Sequence, residues 1–180
     1  MTDHIVSLLA SGTEIVHGLD LGDRLVGISH ECDHPADLLD RPRLSRPRFD
    51  PAGLDSGEID RAVRQAMAEH GSVYAVDAEL LARLDPGLIL TQAVCEVCAV
   101  PTPGVRETVQ RLRLGADVVS LDAHTLDDIL ATIRQVAGAA GVAERGDRFA
   151  SALEGRLEAV RGAVAGAERP RVLAIEWLDP

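Results

Sequence analysis

The stretch IVSLLASGTEIVHGLDLGDRLVGIS, from Ile5 to Ser29, decides the architecture of the chain. Its first apolar run, IVSLL (Ile5 to Leu9), is too short for a helix and reads as a buried strand. Ser11 and Glu14 then stand in capping-box spacing ahead of IVHGL, which marks the start of a helix. LVGIS (Leu25 to Ser29) returns to the short apolar form of a second strand. Strand, helix and strand in this order mean a right-handed crossover and a parallel pair.

The alternation continues downstream. Between Asp55 and His70, Ile59, Val63, Ala66 and Met67 keep helical spacing, and Gly71 takes the place of a terminating glycine. VYAV (Val73 to Val76) is a third strand, AELLARL a brief helix, and LILT (Leu88 to Thr91) a fourth strand. A helix over roughly Pro103 to Leu114 is opened by proline and closed by Gly115, and DVVSL (Asp117 to Leu121) is a fifth strand. The fold class is therefore α/β: residues 1–123 are expected to form one lobe, with a parallel sheet between two layers of helices.

Residues 124–168 change rhythm and are expected to be helical. Thr125 caps a helix with Asp127 and Asp128 in its first turn, where the macrodipole favours acids. Its apolar stripe is Leu126, Ile129, Ile133, Val136 and Ala140. After Gly141 a second stripe, Phe149, Leu153, Leu157, Val160 and Val164, predicts a helix from Asp147 to Ala165. At 1.5 Å per residue it would be about 28 Å long, a strut as much as a cover. RPRVLAIEW (Arg169 to Trp177) then begins a strand with no partner of its own. It either adds to the first sheet or opens a second lobe over residues 169–180.

Composition narrows the partners. The chain has 180 residues, of which 46% are hydrophobic and only 2% aromatic, so Leu, Val, Ile and Ala must build the core. Small aliphatics suit helices packed on a parallel sheet. The net charge is -11 and all 18 basic residues are Arg. That argues against nucleic acid and anionic membrane surfaces as main partners, since both reward clustered positive charge. Arg41, Arg43, Arg46 and Arg48 do gather in a Pro-rich loop running from His30 to about Pro51. They read either as solvated punctuation or as a site for an anionic ligand group. A loop of about twenty residues is longer than a compact domain carries without a reason, which is a hint of function. The first residues lack the basic region of a signal peptide, and no apolar run approaches the length of a membrane span. The expectation from these residues is a cytoplasmic chain with no membrane insertion and, with three cysteines, no disulfide framework.

In an open parallel sheet, ligands bind beyond the carboxyl ends of the strands, where loops converge and helix N-termini point donors into the crevice. Three loops leave such ends here: ASGTE with Ser11 and Thr13, HECDHP with His30, Glu31, Cys32 and His34, and QAVCEVC with Gln92, Cys95, Glu96 and Cys98. If the last two meet, Cys32, Cys95, Cys98 and a histidine such as His34 have the softness of a tetrahedral zinc site. Packing of Cys32 as a small buried hydrophobe and a reactive thiol at a helix start are the competing readings. No G-x-S-x-G elbow or Walker loop is present, so catalysis is not expected. Trp177, the only tryptophan, either packs in a core or offers a flat face at a cleft lip.

Three segments carry a further signal: VSLLASGTEIVHGLDLGDRLVGISHECDHP, LDPGLILTQAVCEVCAVP and RPRVLAIEWLDP. With them the chain resembles the cobalamin and iron-siderophore substrate-binding proteins of ABC importers, and most of all the branch described as cobalamin-binding. SHECDxP and CEVCAV are specific to that branch. SLxxSxTEI is general to the fold. The resemblance implies the class III periplasmic-binding-protein fold, in which two α/β lobes joined by one rigid helix hold the ligand between them. This chain would supply the first lobe, the helix and the opening of the second lobe. It implies a non-catalytic binding protein for cobalamin, another corrinoid or an iron chelate, with an ABC permease as partner. Ser11, Thr13, His30, Glu31, Cys32, Gln92, Cys95, Glu96 and Trp177 would face the ligand. Two departures stand out: the family's usual proline before the serine of the first loop is Ala10 here, and members used in transport carry an export signal. An unfinished second lobe would also leave apolar surface for self-association. The alternative of a different class is a cytoplasmic zinc or thiol-redox sensor using Cys32, His34, Cys95 and Cys98.

Overall fold

A computed structural model of the chain describes residues 3–93 and 99–175. The first unit forms β1 (Ile5–Ser7), α1 (Ala10–Gly18) and β2 (Leu25–Gly27), with Ile5 paired parallel to Leu25. From there the chain crosses to the far side of β1. It lays down β5 (Leu88–Thr91) in parallel register, Ile5 opposite Leu88, and then β6 (Asp117–Ser120) outside it. The sheet order is β2-β1-β5-β6, all parallel.

Side chains alternate through this sheet with the period of two that a strand imposes. Ile5, Leu88 and Leu90 point into one core, with Ile15 and Val16 of α1 and Ile133 and Val136 of α5 (Leu126–Ala139). Val6 and Ile89 point the other way, against Leu81 of α3 (Ala78–Leu84) and Val105 and Val109 of α4 (Thr102–Leu112). The three-layer α/β lobe is thus formed. The helices after β1 and β5 leave on opposite faces, which makes the gap between these strands the switch point of the sheet.

The Pro- and Arg-rich loop and the third strand depart from the simple alternation. VYAV does not enter the parallel sheet: β4 (Tyr74–Val76) pairs antiparallel with β3 (Ser45–Pro47), which forms inside the loop itself. Leu44 is the anchor. Its side chain is fully buried and occupies the space that a Cβ on Gly27 would need, so β2 and the loop approach closely only because residue 27 is glycine. The backbone follows, with Leu44 N–H donating to Ile28 O at 2.8 Å and Asp77 N–H to Leu44 O at 2.8 Å. Between β3 and β4, α2 (Ser56–His70) stops at Gly71, as expected, and starts on a capping box of Asp55 and Glu58.

Three terminal details are corrected. α1 is not capped by Ser11: its N-cap is Leu9, without a side-chain cap bond, and Ser11 lies exposed in the first turn. α4 ends on Arg113 in a left-handed conformation, ahead of Gly115. The long helix α6 begins at Ala143, not Asp147, and runs to Ala163, 21 residues or about 31 Å. Thr125 and Asp128 form the capping box of α5. Residues 171–175 form no strand, and Val172 and Leu173 are 81% and 83% exposed.

Candidate functional site

The loops after β1, β2 and β5 meet at the switch point around a cleft of about 450 Å³. Its apolar wall is Leu8, Leu9, Ala10, Ala99 and Val100, and its polar wall is Ser11, Ser29, His30, Glu31, Ser45, Tyr74 and Gln92. A parallel bridge from Gln92 to Pro101 and the Thr91 hydroxyl, which donates to Val100 O at 2.6 Å, fasten the flanks of the C-x-x-C segment to the rim.

His30 is the most constrained side chain there. Its Nδ1 lies 2.7 Å from Ser45 Oγ, and its backbone N–H donates to the same hydroxyl at 3.1 Å. The ring tilts against Tyr74 with centroids 4.8 Å apart. Nε2 is buried and lies 2.9 Å from Glu31 Oε1, close enough for charge attraction, without an aligned hydrogen bond. Burial lowers the His30 pKa below its ordinary value; Glu31 opposes the shift and Arg43 adds to it. Tyr74 is pushed up by burial and then by the Glu31 carboxylate. The cleft therefore presents a neutral imidazole and a neutral phenol at neutral pH.

Arg43 holds the loop that carries them. Its Nη1 donates to the carbonyls of Ser29, His30 and Cys32 at 3.0, 2.9 and 3.0 Å. Arg41 donates to Leu25 O and Arg48 to Tyr74 O. Of the two readings of the arginine cluster, neither describes these three: they are clips on backbone carbonyls. Arg46 is exposed and has no partner among the described residues.

The residues expected at the site divide into four groups. Ser11, His30, Glu31 and Gln92 line the cleft together. Thr13 and Cys32 do not: both are buried, and the Thr13 hydroxyl sits 3.2 Å from the Cys32 sulfur beneath α1. For Cys32 this is the packed reading: it is buried in the core it shares with Ile15 and Val16 of α1. His34 is exposed and lines a neighbouring groove of about 680 Å³, which shares Ser11 and Gln92 with the cleft and is walled by Ile133, Phe149 and Leu153. Cys95, Glu96, Cys98 and Trp177 lie outside the described residues, so the four-residue zinc set cannot be assembled from this structure; among the described residues no three metal-ligating side chains gather. Tyr74 and Ser45 were not singled out from the sequence, and Arg43 was named there only as one of the arginine cluster. Tyr74 is the only tyrosine, the one signal that could have marked it, while Ser45 reaches the cleft through the unforeseen β3–β4 pairing.

A sequence model of the family described as "Periplasmic binding protein" matches residues 5–179. No curated protein matches the chain. Among solved structures, the periplasmic vitamin B12 binding protein BtuF of Vibrio cholerae is similar at 22% identity and a TM-score of 0.62, over 92% of this chain and 52% of that one. The periplasmic heme-binding protein RhuT from Roseiflexus sp. RS-1 is similar at 22% identity and a TM-score of 0.66, over 94% and 53%. A possible iron-binding protein from Staphylococcus epidermidis ATCC 12228 gives 19% identity and 0.66, over 93% and 53%. These likenesses support the fold, and the chain spans about half the length of the structures it matches.

Proposed function

This chain belongs to the periplasmic binding protein family, and from that premise we propose that it is a non-catalytic lobe that binds a metal-centred planar chelate, a corrinoid or an iron chelate, at the carboxyl ends of β1, β2 and β5. The observation that carries the reading is His30: a buried Nε2 with no aligned partner, beside a cleft at the switch point of the sheet. In the tautomer that carries its proton on Nδ1, toward Ser45 Oγ at 2.7 Å, Nε2 would keep its lone pair for a Lewis-acidic metal centre, the far ring nitrogen being held by a hydrogen bond. Leu8, Leu9 and Val100 supply an apolar face for a macrocycle, and Ser11, Glu31 and Gln92 supply polar contacts at its edge. Contacts from Cys95, Glu96 and Trp177 belong to the same proposal, as do an ABC permease partner and a periplasmic location, which the family description supports. Burial of Cys32 weighs against the zinc or thiol-redox sensor.

The test is a titration of the purified chain with hydroxocobalamin and with hemin, each followed by its absorbance, alongside zinc with free thiols counted. A spectral shift with one of the two chelates, weakened about tenfold or more by His30→Ala, is expected. Unchanged spectra with both chelates would remove this reading, and zinc-protected thiols in that case would favour the sensor.

A further inference from the structure

Among the described residues, the charged side chain on the wall of the cleft is an acid. Glu31 lines it and no arginine does, while His30 and Tyr74 on the same wall are neutral at neutral pH. The arginines of the neighbouring loop are committed elsewhere. Arg43 meets the carbonyls of Ser29, His30 and Cys32, Arg41 that of Leu25, and Arg48 that of Tyr74. Arg46 follows Ser45 on β3, so the period of two sets it on the opposite face of the strand from the hydroxyl that lines the cleft. Residues 94–98, between Gln92 and Ala99 of the cleft wall, contain Glu96 and no basic residue. The start of α1, which reaches the cleft with Ala10 and Ser11 and has no side-chain cap bond, opposes this with about half a positive charge. The full charge of a carboxylate outweighs it.

Glu31 also stands where a bound metal centre would feel it. Its Oε1 is 2.9 Å from His30 Nε2, and after burial it is the Glu31 carboxylate that raises the Tyr74 pKa, so its field spans the polar wall. With 58% of its side chain exposed, it faces solvent and not the core. The polar groups left open beside it are uncharged: the Ser11 hydroxyl and the Gln92 carboxamide have no side-chain partner among the described residues, and the carboxamide offers both donors and an acceptor.

We infer that Glu31 is a charge filter for the cleft: it favours chelates with a cationic metal centre and an uncharged edge of amides, hydroxyls or esters, and disfavours chelates that turn carboxylates to this wall. The inference rests on the function proposed above. It concerns the wall that this chain supplies, because like charges at short range repel whatever lies across the cleft.

Two matched pairs of probes test it, each titrated into the purified chain at neutral pH and followed by absorbance. One pair is hydroxocobalamin and its derivative with a single ring-edge amide hydrolysed to a carboxylate. The other is hemin dimethyl ester and hemin, in the same dilute detergent. At about 6 Å from Glu31, in a dielectric between that of a protein surface and that of water, a carboxylate costs about tenfold in affinity, so the uncharged-edge member of whichever pair binds should be tighter by about that ratio. Salt should shrink the ratio. Glu31→Gln should bring it near one and Glu31→Arg should reverse it, with an unchanged circular dichroism spectrum in both, since the side chain is exposed. Equal affinities within a pair, a ratio unmoved by salt, or one that survives Glu31→Gln would overturn the filter and leave the proposed function standing. Spectra unchanged by all four probes would overturn the proposed function, and the filter with it.

Discussion

Removing the Arg43 side chain should loosen the candidate site more than any other change in the arginine cluster. Its Nη1 faces three carbonyl oxygens, those of Ser29, His30 and Cys32, all within 3.0 Å. A hydrogen bond from a charged donor contributes about 1.5–3 kcal/mol. One nitrogen has only two hydrogens to share among the three acceptors, and the His30 carbonyl is exposed and can turn to water. The net loss in Arg43→Ala is therefore about 2–3 kcal/mol, near the value of a single strong charged bond. In a chain of this size each kcal/mol moves the melting temperature by about 2–4 °C, so the variant should melt about 5–10 °C lower. Arg46→Ala is the control. Arg46 is exposed without a partner among the described residues, and its loss should fall within the roughly 0.5 kcal/mol typical of such surface sites. Thermal unfolding followed by far-UV circular dichroism measures both. If the two variants melt together, the carbonyl clip does not hold the loop and the reasoning about His30 fails with it.

Two other substitutions probe the same region. Gly27→Ala puts a methyl group into the space of the buried Leu44 and should cost about 1–3 kcal/mol by overpacking. Urea denaturation reads the loss, and adding Leu44→Ala should return part of it; an unchanged midpoint would mean that the loop does not pack on β2 as described. The pH dependence of stability should carry the mark of His30. Burial sets its folded pKa below the ordinary 6.5, with Glu31 pulling up and Arg43 pushing further down, so between those two values the unfolded chain binds more protons than the native one. Stability is then complete above about 6.5 and declines as pH falls through the folded pKa. His30→Gln should flatten that decline, and superimposed stability profiles from neutral pH into mild acid would contradict the assignment.

Much of this lobe was legible in the order of residues because its signals are local. Short apolar runs bounded by turn residues, and stripes at helical spacing, located β1, β2, β5, β6 and the helices from Asp55 onward within a few positions. Pairing of β3 with β4 was not legible. It depends on Leu44 finding the gap left by Gly27, a contact between segments seventeen residues apart that neither announces alone. Helix ends were misread where sterics outweighed side-chain chemistry, as at α1, where the chain turns from strand to helix without a cap. The site divided in the same way: residue types and the loops that carry them pointed to Ser11, His30, Glu31 and Gln92, but the inward turn of Cys32 toward Thr13 follows from how α1 settles on the sheet.

By itself, then, the sequence determined a parallel α/β lobe, a net charge of -11, and the three loops that line the candidate site. Only the tertiary structure decided which side chains of those loops share a cleft and that three arginines grip backbone carbonyls. Periodicity and capping act over a few residues along the chain. Convergence of loops and the burial of one face of a side chain depend on contacts between segments far apart in sequence, and these exist only once the layers have packed.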